Sequence, residues 1–141
     1  MAELNRAVAA LRVVGDDLFP DEVTDLLGAR PTRSFARGDE IRHKRTSTRT
    51  AKFGFWVLDG PETQPADLDT QVNELLGPLT SDLGTWQEIA ARFSVDLFCG
   101  WFMKFGNEGV AISPATLKAL AERQIALDLD IYAGDSDLIP D

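Results

Sequence analysis

Seven basic side chains in one short stretch are the residues of this sequence best suited to bind something. They are Arg30, Arg33, Arg37, Arg42, Lys44, Arg45 and Arg49, spread through RPTRSFARGDEIRHKRTSTRTAK. Guanidinium groups present paired N–H donors that match the oxygens of a carboxylate or phosphate, so the cluster predicts an anion- or partner-binding surface. From Arg30 to Lys52 the chain holds eight of its 14 Lys and Arg residues and only two acids, Asp39 and Glu40, a local net charge of +6. The remaining sequence carries −15, which leaves the 141-residue chain at −9. Such a polarised molecule is oriented toward an acidic protein or an anionic small ligand, while its overall field repels nucleic acid. The competing reading is a loop whose bases merely neutralise the acidic body, because exposed ion pairs contribute little.

Other constellations carry less chemistry. Asp128 and Asp130 sit two residues apart on one strand face, with Asp96 a candidate neighbour. Paired carboxylates can hold a divalent cation or exchange protons. Nothing supplies the remaining ligands, and Arg12 or Lys104 across a sheet would be their ordinary partners. Cys99 and His43 are the one thiol and the one imidazole. Cys99 shares its strand face with Leu97 and Trp101 and reads as a buried, inert thiol, while His43 lies among cations that disfavour its protonated form. No catalytic residue, metal site or cofactor is therefore assigned. Phe98, Phe102 and Tyr132 point away from Cys99 and form a candidate self-association patch for a homodimer, unless another segment covers them.

These side chains need elements to position them. The chain length and 44% hydrophobic content fit a single domain, 1–141, that folds without a staple. One cysteine excludes an internal disulfide, the start lacks the pattern of an export signal, and no apolar run is long enough to span a membrane, so the expected location is a reducing cytoplasm. Ala7 to Val14 reads as a first strand, and Pro20 opens a short helix that ends at Gly28. The basic segment 30–52 shows little periodicity and is expected to be a mostly irregular surface excursion with an edge strand near Ser34 and Phe35. A strand follows over Lys52 to Leu58.

Leu68, Val72, Leu75, Leu76 and Leu79 then mark one helical stripe, and Leu83, Trp86, Ile89, Ala90 and Phe93 a second. Val95 to Lys104 predicts the central strand, and the turn at Gly106 to Gly109 predicts a hairpin into Val110, Ala111 and Ile112. Ser113 and Pro114 start a last helix, and Ala126 to Tyr132 alternates as a last strand. A loose acidic tail is expected over 133–141. Helices with one apolar stripe and strands with one charged face predict an α+β fold, a mostly antiparallel sheet with helices packed on one face, with ferredoxin-like halves as the candidate arrangement.

Three stretches, LLGARPTRSFARGDE, FGFWVLDG and ISPATLKALAERQIALDLDIYAG, resemble a bacterial family known as domain of unknown function 4279. Between Thr63 and Phe93 the likeness is one of helical pattern. The resemblance implies an α+β fold and a small bacterial protein, and it implies no catalytic residues. The sequence thus leads to a non-catalytic binding or interaction domain that uses its basic segment. The alternatives are an enzyme acting on a phosphorylated or carboxylated small molecule, and local nucleic-acid binding.

Overall fold

The computed structural model describes residues 2–45 and 47–135. Its organising element is β2, Arg6–Gly15, where Ala7, Ala9, Leu11 and Val13 are buried and the residues between them are only half-buried. Apolar residues at every second position make a strand with one dry face. β2 pairs antiparallel on one side with β6, Gly54–Asp59, and on the other with β7, Ser94–Phe102. β3, Arg33–Phe35, lies outside β6, and β9, Ala126–Tyr132, lies outside β7, so the order is β3-β6-β2-β7-β9. Only the β7 and β9 pair is parallel within this sheet, and the chain crosses between them through α4, Pro114–Glu122. The result is the expected mostly antiparallel α+β sheet. Four of the strands follow the ferredoxin-like arrangement: β2 and β3 run parallel with β6 between them, β6 and β7 run parallel with β2 between them, and β9 adds a fifth strand beside β7.

Register sets Val13 beside Trp56 and Leu11 beside Leu97, and all four side chains enter one core. The helices α1, Pro20–Leu27, α2, Leu68–Leu76, and α3, Leu83–Arg92, cover that face together with α4. Each starts where the sequence supplies a device. Pro20 occupies the first turn of α1, while the Asp67, Asp82 and Ser113 side chains accept the amides of Thr70, Gly84 and Thr116. α1 ends on Gly28 at φ 83°, and its amide donates to the Thr24 carbonyl.

Several polar groups of the core are tied by hydrogen bonds, although Gln71 Oε1 and Trp101 Nε1 are buried without a partner among the described residues. The indole N–H of Trp56 donates to the Thr24 hydroxyl at 3.0 Å and that of Trp86 to the Thr80 carbonyl at 2.8 Å. Buried Gln71 donates from Nε2 to the carbonyls of Ala7 and Pro61, both at 2.9 Å. The Thr116 hydroxyl and the Ser113 amide donate to Asp69, which holds its carboxyl below the ordinary range and joins α2 to α4.

Two segments depart from the sequence expectation. The basic segment is not mostly irregular: Glu40–Lys44, β4, and Ser47–Thr50, β5, form an antiparallel hairpin with a register shift between Arg42 and Lys44. Its base is closed by the Ala51 amide donating to Asp39 and the Gly38 amide donating to Ala51. Every side chain described on β5 is exposed, so the period-two apolar signal that reveals a strand is missing.

The second departure follows β7, where no hairpin into 110–112 forms. Glu108–Gly109, β8, pairs instead in parallel with Ala2–Glu3, β1. The cause is the Glu108 carboxylate, which accepts the amides of Asn5, Lys104 and Phe105 and turns the chain away from β7. Of the expected tail, Asp135 donates its amide to the Lys104 carbonyl, and 136–141 lie outside the described residues.

Gly54 opens β6 against the Leu18 backbone, where an added Cβ would stand 2.3 Å from the Leu18 carbonyl oxygen. Gly54→Ala is expected to destabilise the fold by about 2 kcal/mol, since a backbone atom cannot yield as a side chain can. Urea unfolding checks this, and an unchanged midpoint would contradict the close approach.

Candidate functional site

The hairpin hangs on the β3 edge of the five-stranded sheet, at the end of a segment whose exit from α1 is fixed. Pro31 restricts Arg30 to extended geometry, the Thr32 amide donates to the Val57 carbonyl at 2.7 Å, and the Thr32 hydroxyl accepts the Asp59 amide at 2.9 Å. The cations that follow are anchored at their root.

They do not converge on one point. Arg30 lies in a depression beside Asp21 and Asp25 of α1. Arg33 faces the open side of the sheet, 3.9 Å from the Asp59 carboxylate. Arg37 precedes the hairpin. Arg42 pairs across the ladder with Thr48, and Arg49 with Ile41, so these two arginines project from opposite faces. Lys44 and Arg45 stand at the tip. Arg30, Arg37, Arg42, Lys44, Arg45 and Arg49 are all exposed, and among the described residues none of these six makes an ion pair.

On the Arg49 face the hairpin and the sheet edge enclose a cleft of about 300 Å³. Its walls are Phe35, Ile41, Ala51 and Phe53, and Arg49 and Lys52 stand at its rim. Phe35 stacks on Phe55 with ring centroids 5.0 Å apart and meets Phe53 at 6.0 Å. Phe53 keeps 38% of its surface exposed, an unusual state for a phenylalanine beside a core. Ile41, Phe53 and Lys52 were not recognisable from sequence as members of one site. The signal available was Lys52-Phe53 at the head of an aromatic run, which reads as the start of the next strand.

Residues 3–134 match the family model described as a domain of unknown function, DUF4279. The chain belongs to the DUF4279 family. No curated protein and no solved structure gives a significant match. The family match spans both the basic hairpin and the aspartate-bearing strand at the other edge of the sheet.

In this DUF4279 domain the aspartates are occupied. Arg12 donates to both oxygens of Asp96, at 2.8 and 2.6 Å, and reaches Asp128 at 3.2 Å. The hydrogen bond to Asp96 raises the Arg12 pKa. The Tyr132 hydroxyl donates to Asp130 at 2.8 Å, which raises its own pKa. Asp128 and Asp130 lie four strand spacings from β3, about 19 Å at ~4.8 Å per strand, and Asp96 lies three. Among the described residues no group of three or more His, Cys, Asp or Glu is arranged to hold a metal ion, and no helix is long and apolar enough to cross a membrane.

The aromatics named for self-association share the open face, and two of them lie beneath guanidinium groups. Arg6 lies 3.8 Å from the Phe102 ring centroid and Arg12 lies 4.3 Å from that of Phe98. Phe102 also stacks on Tyr132 at 4.7 Å, with the rings 2° from parallel, and Tyr132 remains exposed at the sheet edge. Arg6 and Arg12 were not among the residues singled out as covering these rings, because cross-strand neighbours depend on a register the sequence alone does not display.

Cys99 is fully buried on the helix-covered side of β7, and His43 belongs to β4 in a different sheet. Burial pushes the thiol up to about 12, with the charges of Asp128 and Asp96 adding to the shift. A thiol raised that far is neutral at pH 8. Iodoacetamide at that pH should leave Cys99 unmodified in the folded protein and alkylate it in denaturant, while rapid labelling of the native state would contradict its burial.

Proposed function

We propose that this DUF4279 domain is a cytoplasmic, non-catalytic interaction module that engages an acidic protein surface through the β4 and β5 hairpin and its flanks. One observation carries the reading. Six of the seven candidate cations make no ion pair among the described residues, although the molecule bears 23 acids against 14 bases. Bases that served only to neutralise the body would be expected to pair with its acids, as Arg12 does with Asp96, yet even Arg30, which lies beside Asp21 and Asp25, makes no ion pair among the described residues.

The distribution of charge favours a protein surface over a single phosphate or carboxylate. A compact anion needs several donors aimed at one volume, whereas Arg42 and Arg49 project from opposite faces of the hairpin. An extended acidic partner can contact both faces and the tip. A steering field of this kind mainly raises the rate of encounter, and it is screened within about 8 Å at physiological salt. The enzyme alternative is disfavoured because its candidate acids, Asp128 and Asp130, sit on the opposite edge strand and are already hydrogen-bonded.

The test compares poly-L-glutamate with inorganic phosphate and a single-stranded oligonucleotide at low salt. Poly-L-glutamate is expected to bind best. The triple variant Arg42→Ala, Lys44→Ala, Arg45→Ala should weaken its binding about tenfold and flatten the salt dependence. Equal binding by wild type and variant would contradict the proposal, and so would preference for phosphate or the oligonucleotide.

A further inference from the structure

The cleft on the Arg49 face has a composition that the hairpin's charge does not explain. An excursion built only for electrostatics would be polar throughout, yet this one shelters an apolar hollow of about 300 Å³. The hollow is at the lower end of the size range for ligand sites. Its floor is Ala51, which is 6% exposed, and its walls are the rings of Phe35 and Phe53 with the side chain of Ile41. Phe35 is fixed from behind by its stack on Phe55, 18° from parallel, so the wall is held in place before anything binds. Arg49 shares the face of Ile41 by their cross-strand pairing, and Lys52 follows the floor residue directly. Both cations are exposed and make no ion pair among the described residues.

This pattern specifies its guest from two directions. A small inorganic anion would satisfy Arg49 and Lys52 and leave the aromatic walls facing water. An aliphatic group would fill the walls and leave two cations without a counter-charge. An aromatic ring flanked by carboxylates satisfies both, because its face can meet Phe35 and Phe53 and also the cations at the rim. Resting on the reading of the hairpin as a binding element, we infer that the cleft seats an aromatic side chain of the acidic partner, with neighbouring carboxylates held by Arg49 and Lys52. The hairpin's outer cations then supply attraction, and the cleft supplies selectivity among acidic sequences. Buried aromatic anchors surrounded by weaker polar contacts are the usual division of labour at protein interfaces.

Two fluorescein-labelled heptapeptides test this by anisotropy, one with a tryptophan between two runs of three glutamates and one with alanine in its place. The tryptophan peptide should bind about five- to tenfold tighter to the wild-type protein. Phe53→Ala should abolish that difference while leaving the alanine peptide's affinity unchanged. Phe53 is part-exposed, so the variant should fold, and Arg49→Gln provides a second variant that should shrink the difference without touching the walls. Equal binding of the two peptides to wild type would overturn the inference while leaving the hairpin's acidic preference standing. A tryptophan advantage that survives both substitutions would place the guest elsewhere and also overturn it. Binding of neither peptide would remove the proposed function and the cleft's role with it.

Discussion

The period-two alternation of β2 is the constraint on which this structure depends. Ala7, Ala9, Leu11 and Val13 must be covered, and the four helices cover them. The opposite face of the same strand is then left without a helix, and its side chains must be compatible with water. Arg6 and Arg12 meet that requirement by lying across Phe102 and Phe98 while their charges meet Glu62, Asp96 and Asp128. Val57, which also faces this side, is buried between Arg12 and Arg33 on the two neighbouring strands. A single alternating strand thus decides both the dry core and the arginine-capped outer face.

That division has a consequence for charge. Arginines inside the sheet have acidic partners close by: Arg12 meets Asp96 across the ladder, Arg33 approaches Asp59, and Arg6 reaches Glu62 beyond the end of β6. The cations of the β4 and β5 hairpin sit in a separate two-stranded sheet, whose own ladder offers them mainly threonine and serine. Their isolation follows from connectivity: the chain leaves β3, makes the hairpin, and returns to β6 through Ala51 and Lys52. A molecule with excess acid therefore keeps a group of bases that make no ion pair among the described residues. The return path also leaves Phe53 outside β6 and exposed, which creates the aromatic side of the cleft.

Much of the fold was legible because its signals are local. Three-and-four spacing marked α2 and α3, Ser113 and Pro114 marked the start of α4, and clean alternation marked β9 from Ala126 to Tyr132. The hairpin was not legible, because its strands are nearly devoid of apolar residues and a backbone ladder between charged strands leaves no hydrophobic period. The role of Glu108 was equally hidden. Its carboxylate gathers three amides from two places in the chain, and no sequence spacing announces such a contact. For the candidate site, the charge cluster itself could be read directly from composition. Its division between two hairpin faces, and its union with Phe35, Ile41 and Phe53, required the register.

The central claim is that the uncompensated hairpin, with its flanking cleft, is the surface this domain offers to an acidic partner. The most direct measurement is a titration of the isotopically labelled protein with poly-L-glutamate, followed by amide chemical shifts. Perturbations are expected to concentrate between Arg33 and Phe53, with the open sheet face around Arg12 and Asp96 unchanged. Perturbations centred on that open face, with the hairpin silent, would contradict the claim.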